Sequence, residues 1–330
     1  MSNSPLVLPR PGASTSSTTP IPAPSESAFV ATFGALLPAA QYLQTPHGRA
    51  AYYSLPPSST SSTSSSSTIT RVLFIHGVQT PAIGLQPLAR ALSSRFPHAH
   101  CVLLDLWGHG LSETPVLPHE PALFHALILA LLTHLDWPSA HLIGYSFGGS
   151  TVASFAATYP ALVSSMVLIA PAGLLSAANF TDEQRGYLAG GDAVLEDKAR
   201  AWILEFLEGG DLVVPSDWKE RVSRGEVVAE AVRAWQMKEH RGHEASVVGV
   251  FRDGGVLDRH AEFEEVVRRG EVRGLSVLGE LDDVCSVGDL EKVGMRNVVV
   301  VKGVGHAVVR ERVEEVAGLI EEFWKMLCVM

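Results

Sequence analysis

Short apolar segments alternate with segments of helical periodicity over most of the chain. The apolar segments are rich in valine, isoleucine and leucine, which predicts buried strands; they are 71–75, 101–106, 141–145, 166–170, 275–279 and 298–302. Between them apolar side chains recur three and four positions apart, which predicts helices; these segments are 85–96, 121–135, 147–159 and 310–327. The alternation predicts an α/β fold, with a doubly wound, mostly parallel sheet and helices on both faces.

Two stretches depart from this alternation. One is charged and lacks strand-like runs, and helical patterns at 192–207 and 227–238 predict an inserted helical cap. The other, at the N-terminus, is rich in proline, serine and threonine and predicts a disordered or weakly ordered tail, although 29–37 is compatible with a short helix. The predicted organisation is a tail over 1–38, a first part of the core over 39–173, the cap over 174–240 and a second part of the core over 241–330.

Composition and charge exclude several classes of protein. Of the 330 residues, 46% are hydrophobic and 18% charged, which suits a large core and excludes wholesale disorder. A formal charge of −10 without a basic run is not typical of proteins that bind nucleic acids or anionic membranes. The three cysteines, Cys101, Cys285 and Cys328, are too few and too scattered for a disulfide framework or a zinc site.

Targeting and cofactor signals are also missing from the sequence. The apolar stretch 122–135 is shorter than the roughly 20 residues that a membrane span needs. The N-terminus has no apolar segment of the kind found in signal peptides, so we expect a cytoplasmic protein. The sequence contains no phosphate loop, no dinucleotide fingerprint and no metal-ligand spacing, so we expect neither a cofactor nor a metal.

A G-x-S-x-G pattern, Gly144 to Gly148, lies between a predicted strand and a predicted helix. A sharp strand-to-helix turn at this pattern projects the oxygen of Ser146 from the sheet edge. Glycine is needed at both ends because side chains there would collide with the neighbouring strand and helix. The following helix also supplies backbone N–H groups beside the serine. The pattern therefore indicates a nucleophilic serine.

Other motifs lie at the ends of the predicted strands. A His-Gly pair at 76–77 follows the first buried strand, and the segment 105–112 has the sequence DLWGHGLS. Gly279-Glu-Leu-Asp282 ends another strand, and Gly303-Val-Gly305-His306 follows the last one. Together with the Ser146 turn, these motifs resemble the α/β-hydrolase family, in its branch with a serine nucleophile and a helical cap. The resemblance covers about 40–173 and 241–330, and the order serine, acid, histidine is the one this fold uses.

The resemblance implies a role for each residue of a catalytic triad. Ser146 is the nucleophile, and because a neutral hydroxyl is a weak nucleophile, it needs an adjacent base. His306 takes the serine proton and later returns one to the leaving group, and Asp282 orients the imidazole. The backbone N–H groups of Val78 and Phe147 are expected to form the oxyanion hole.

Alternatives exist for two of these roles. Asp283 lies directly beside Asp282 and is an alternative acid, although the Gly-x-x-Asp spacing favours Asp282. His76 and His109 are alternative bases, but the resemblance implies that both positions are structural.

The substrate pocket is expected under the cap, since ligands in open α/β sheets bind at the carboxyl ends of the strands. Trp107 stands where many relatives carry arginine, and we predict that it lines the pocket wall. Trp202 and Phe206 are our first choices among the cap aromatics for substrate binding, although aromatics of this kind also pack a cap onto its core.

These inferences predict a serine hydrolase, by type a serine esterase, that acts through an acyl-enzyme on an ester or related acyl small molecule. The alternatives are a C–C bond hydrolase of a diketone-like compound, an acyltransferase, and a non-catalytic small-ligand receptor on the same fold. A serine rather than an aspartate at position 146 argues against the branches in which a carboxylate attacks. The expected partner is a small-molecule acyl substrate.

Overall fold

The computed structural model describes residues 6–13, 19–59 and 69–329, which are built around one sheet. The sheet has eight strands among the described residues, in the spatial order β1-β2-β4-β3-β5-β6-β7-β8. The strands are β1 Gln41–Thr45, β2 Gly48–Leu55, β3 Arg71–Ile75, β4 His100–Leu104, β5 Ala140–Tyr145, β6 Val163–Ile169, β7 Gly274–Gly279 and β8 Val298–Val301. The pairs β1–β2 and β2–β4 are antiparallel, and all other pairs are parallel.

Helices connect the strands and cover the sheet. The α-helices are α1 Glu26–Phe33, α2 Gln86–Arg95, α3 Pro121–His134, α4 Phe147–Thr158, α5 Asp182–Ala189, α6 Ala193–Glu208, α7 Trp218–Ser223, α8 Ala229–Glu239, α9 His243–Gly249, α10 His260–Arg269, α11 Val287–Lys292, α12 Val308–Glu311 and α13 Val313–Val329. In the described residues, no helix combines the length and the apolar composition that crossing a bilayer requires. The predicted fold class is confirmed, because helices lie on both faces of a mostly parallel sheet.

The two faces of the sheet form separate apolar layers. On β3, Leu73 and Ile75 pack with α3, α4 and α10, whereas Val72 and Phe74 pack with α2 and α13. All four side chains are fully buried. Burial on both faces explains why the sequence of this strand is continuously apolar rather than alternating.

The strand register places the candidate site at one edge of the sheet. Ile75, the last residue of β3, is paired with Gly144 near the end of β5. Both strands run in the same direction, so the segment after β3 and the turn at Ser146 leave the sheet side by side.

The N-terminal segment 1–38 differs from the weakly ordered tail that composition predicts. Residues 1–5 and 14–18 lie outside the described residues, but α1 is capped by the side chain of Ser25 and buries Phe29 and Phe33. Both rings pack against Trp235 of α8, with centroid distances of 5.3 and 5.9 Å. Nearer the N-terminus, Leu8 is also buried. Composition misses this packing because the partner is 200 residues away in the sequence.

Helices α5 to α8 follow β6 and occupy the stretch that we predict to be the cap, 174–240. Helix α9 and a single π-helical turn, Val250–Gly254, continue the helical stretch before α10. Helix α10 packs against α4, which covers the sheet, so the chain has returned to the core at α10. The serine- and threonine-rich segment 60–68 lies outside the described residues.

Candidate active site

Ser146 occupies a strained turn between β5 and α4. Its backbone has φ 54° and ψ −119°, which is rare for a residue with a side chain. A Cβ atom at Gly144 would overlap the carbonyl of Gly148, and one at Gly148 would overlap the carbonyl of Ile75. Glycine is therefore required on both sides of the serine. The turn leaves Ser146 partly exposed among buried neighbours.

His306 lies in the loop between β8 and α12 and links the serine to a carboxylate. Its Nε2 is 3.0 Å from the Oγ of Ser146. Its Nδ1 is 3.1 and 3.2 Å from the two carboxylate oxygens of Asp282. With the proton on Nδ1, the imidazole donates to Asp282, and Nε2 accepts the hydroxyl hydrogen of Ser146. The structure therefore brings together the three predicted triad side chains.

The carboxylate that reaches the imidazole belongs to Asp282 and not to Asp283. The side chain of Asp282 is fully buried, and the backbone N–H of Val284 donates to its Oδ1 at 2.9 Å. Asp283 is exposed. Cys285 is buried nearby, and burial, reinforced by the charges of Asp282 and Asp289, raises the pKa of its thiol to about 12. This cysteine stays a neutral thiol and fills space.

Two backbone N–H groups belong to segments that pass close to Ser146. A Cβ atom at Gly77 would lie 2.9 Å from the Cβ of Ser146, so the chain at Val78 passes close to the serine. Phe147 is the first residue of α4, and its N–H points away from the helix body. In the part of the chain that the structure describes, neither the N–H of Val78 nor that of Phe147 has a hydrogen-bond partner. Both donors are therefore unpaired, as the predicted oxyanion hole requires.

His76 and His109 are buried, and both ring nitrogens of each bond to the backbone. The His76 Nδ1 donates to the carbonyl of Gly77 at 2.6 Å, and its Nε2 accepts from the N–H of Leu106 at 2.9 Å. Burial lowers the pKa of His76 to about 4. Burial is also the main reason that the pKa of His109 lies well below its usual value. Both rings are therefore neutral supports of the loops around the site.

Asp105 shapes the turn that precedes Trp107. It accepts hydrogen bonds from the backbone N–H groups of Ala82 and Leu111 and from the hydroxyl of Tyr53, at 2.8–2.9 Å. Burial raises the pKa of this carboxyl to about 6, although these bonds oppose the shift. The DLWGHGLS segment is therefore held from inside by one carboxylate.

The three residues predicted to bind substrate occupy different environments. Trp107 is fully buried, and its indole nitrogen has no hydrogen-bond partner among the described residues. Trp202 and Phe206 lie in α6 and pack with one another and with Phe180 and Phe251. Their ring contacts within the described residues do not include a triad side chain. The structure places both in a cap aromatic cluster.

Sequence reasoning missed the cap residues that contact the segment after β3. The amide of Gln236 in α8 bonds to the backbone at Gln79 and at Gly110. A cavity of 330 Å³ adjoins this point; its lining includes Gln79, Leu204, Glu208 and Met237. The sequence contains a signal for this contact, because the polar Gln236 interrupts the apolar stripe of α8 next to Trp235. Within the described residues, no group of three or more His, Cys, Asp or Glu is arranged for a metal ion.

Comparison with known proteins agrees with this fold. Residues 70–209 match the family model described as alpha/beta hydrolase fold. A hydrolase from Pseudomonas aeruginosa superposes with a TM-score of 0.61 at 21% identity, covering 87% of this chain and 98% of that one. The enol-lactonase from Burkholderia xenovorans superposes with a TM-score of 0.61 at 18% identity, covering 86% and 100%. The predicted α/β-hydrolase fold is confirmed.

Similarity to curated sequences is local. The 2-(acetamidomethylene)succinate hydrolase of Mesorhizobium japonicum is 36% identical over 98 residues, which are 30% of this chain and 34% of that protein. The chain spans about a third or less of the length of the first curated relatives that it matches. The comparisons therefore establish the fold and leave the substrate to chemical argument.

Proposed function

We propose that this chain, a protein of the α/β-hydrolase fold, is a serine hydrolase that cleaves an ester or related acyl small molecule through an acyl-enzyme. The observation that carries the proposal is the continuous contact from the Ser146 hydroxyl through His306 to the buried carboxylate of Asp282, beside two unpaired backbone N–H groups. A nucleophile, its base, the residue that orients the base and an oxyanion site are the parts that acyl transfer needs.

The first half of the reaction forms the acyl-enzyme. The Ser146 oxygen attacks the acyl carbon while Nε2 of His306 takes the hydroxyl proton, and Asp282 stabilises the imidazolium. The oxygen of the tetrahedral intermediate accepts hydrogen bonds from the N–H groups of Val78 and Phe147. The imidazolium then protonates the leaving alcohol as its bond to the acyl carbon breaks.

The second half restores the enzyme. A water molecule gives a proton to Nε2 of His306 and attacks the acyl carbon, and the same two N–H groups hold the second oxyanion. The intermediate collapses, the proton returns to the oxygen of Ser146, and the carboxylic acid leaves.

The names of the relatives support hydrolysis as the reaction class, since a succinate-derivative hydrolase and an enol-lactonase are among them. The choice of an ester rests on the triad geometry and on the serine nucleophile. The helices α5 to α8 follow β6 in the chain, and we expect this cap to cover the carboxyl edge of the sheet and to select the acyl group. The cytoplasmic location inferred from the sequence stays a prediction.

A fluorophosphonate probe tests the proposal, because it reacts with an activated serine. Wild-type protein should be labelled rapidly and should hydrolyse members of a panel of p-nitrophenyl acyl esters. Ser146→Ala should abolish both signals, whereas Ser94→Ala, which changes an exposed serine in α2, should keep both.

The outcomes separate the competing functions. Folded wild-type protein that is neither labelled nor active would favour a small-ligand receptor and overturn the proposal. Labelling together with cleavage of a diketone-like probe and none of the esters would replace ester hydrolysis by C–C bond hydrolysis.

A further inference from the structure

The chain makes a strained turn directly after the first predicted oxyanion donor. The N–H of Thr80 donates to the carbonyl of Val78 at 2.9 Å, and Gln79 between them has φ 66°. A bond that spans three residues around a positive φ is a γ-turn of the rare, strained type. Such backbone persists only where the surroundings hold it, and it concentrates at functional sites.

The peptide groups of Gln79 are held from two sides. Its N–H donates to Nε2 of His109 at 3.3 Å, and its carbonyl accepts from the side-chain amide nitrogen of Gln236. The amide oxygen of Gln236 accepts from the N–H of Gly110 at 2.7 Å. The glutamine is fully buried, and it is supplied by α8 of the cap. One cap side chain therefore ties the turn to the DLWGHGLS segment.

The chemistry of this position suits glutamine and few other residues. One end must donate to a carbonyl and the other must accept from an N–H, and only an uncharged amide of this length does both. Glutamate keeps the acceptor and loses the donor, and methionine of similar length loses both.

We propose that Gln236 is a positioning residue that holds the Val78–Thr80 turn so that the N–H of Val78 faces the developing oxyanion. The inference rests on the proposed function. It means that the cap takes part in the oxyanion hole as well as covering the substrate. An oxyanion donor acts only when its placement matches the transition state, and removing one donor lowers kcat by roughly 100- to 1,000-fold.

The test compares Gln236→Glu and Gln236→Met with wild type on the best ester of the panel. We expect kcat to fall roughly 10- to 100-fold in both variants while KM changes little, since a displaced donor weakens the transition state and not substrate binding. A trifluoromethyl ketone, which forms a tetrahedral adduct with the serine, should lose affinity by the same factor.

Ser246→Ala is the matched control. Ser246 lies in α9, and its buried hydroxyl donates to the carbonyl of Trp107 at 2.9 Å, so the change removes a bond to the DLWGHGLS segment without altering Gln236. Its melting temperature should fall as in Gln236→Glu, while kcat and ketone affinity stay at wild-type values.

Three results would overturn the inference. One is folded Gln236→Glu and Gln236→Met protein with wild-type kcat and ketone affinity, which leaves the proposed function standing. The second is an equal loss of kcat in Ser246→Ala, which makes the role of Gln236 merely structural. The third is folded wild-type protein without labelling or turnover, which removes the proposed function as well.

Discussion

Acidification should destabilise this protein at a pH where most of its carboxylates are still ionised. His76, His109 and His243 are buried, and the His109 ring contacts the other two in tilted and edge-on arrangements, with ring centroids 5.1 and 4.8 Å apart. Burial lowers the pKa of His76 to about 4 and that of His243 to about 3, from an ordinary value of 6.5. The perturbation is a change from pH 7.5 to pH 5, in which these rings stay neutral in the folded chain.

The direction and size of the change in stability follow from the difference in bound protons between the unfolded and folded chains. Because the folded pKa values lie below the unfolded value, the unfolded chain binds more protons between about pH 6.5 and pH 4, and stability falls as the pH falls. His76 and His243 should each lower the free energy of unfolding of the protein by about 2 kcal/mol between pH 7.5 and pH 5. The pair alone accounts for about 4 kcal/mol of a total that is about 5–15 kcal/mol in ordinary proteins.

Urea unfolding at each pH, followed by tryptophan fluorescence, measures this loss. His243→Asn keeps a donor for the carbonyl of Gly108, which Nδ1 reaches at 2.9 Å, and it removes the titrating ring. The loss between pH 7.5 and pH 5 should therefore be about 2 kcal/mol smaller than in wild type. Ser94→Ala, which changes an exposed residue of α2 that does not titrate in this range, should show the full wild-type loss. Equal losses in His243→Asn and wild type would refute the reasoning.

Three further expectations follow from the same structure. Asp282→Asn should lower kcat by about 1,000- to 10,000-fold through the wrong histidine tautomer, whereas Asp283→Asn should leave kcat near wild type; the reverse order would place the acid one residue later. Gly148→Ala should lower the melting temperature and kcat because its Cβ would meet a strand carbonyl, and an unchanged melting temperature would contradict this. Gly186→Ala lies in open space within α5 and should instead stabilise the protein by about 0.5–1 kcal/mol. Arg10→Ala should cost about 1–2 kcal/mol in urea unfolding because it leaves a mostly buried carboxylate unpaired, and no loss would mean that the N-terminal ion pair is dispensable.

The sheet and the triad could be predicted because their signals are local. A parallel strand buried on both faces is a short apolar run, and the runs at 71–75 and 275–279 differ from β3 and β7 by at most one residue. The turn at Ser146 needs glycine on both sides for steric reasons, so it leaves a pattern within five residues. These features are fixed by neighbours in the sequence.

The contacts between cap and core could not be predicted, because each joins distant parts of the chain. Nothing near Phe29 indicates that Trp235 will cover it, and nothing near Gln79 indicates Gln236. The sequence shows that Trp202 is aromatic. It does not show which face of α6 packs into the cap aromatic cluster, because that depends on Phe251, which lies beyond the cap in the sequence. The sequence therefore predicts the three side chains that the structure brings together, and it does not predict the contacts that hold the surrounding loops.

The hydrogen bonds that α8, His240 and α9 make to the core also limit how ligands exchange. Within the described residues, Gln236 makes two buried hydrogen bonds to the core, and His240, His243 and Ser246 make one each. At about 1 kcal/mol per bond, breaking these bonds alone costs about 5 kcal/mol, and the apolar contacts of Trp235 add to it, so at most roughly one molecule in several thousand has α8 and α9 lifted. Binding through such an open form would weaken the apparent affinity by the same factor. Lifting these helices is therefore rare, and substrate and product are expected to exchange while α8 and α9 stay in place.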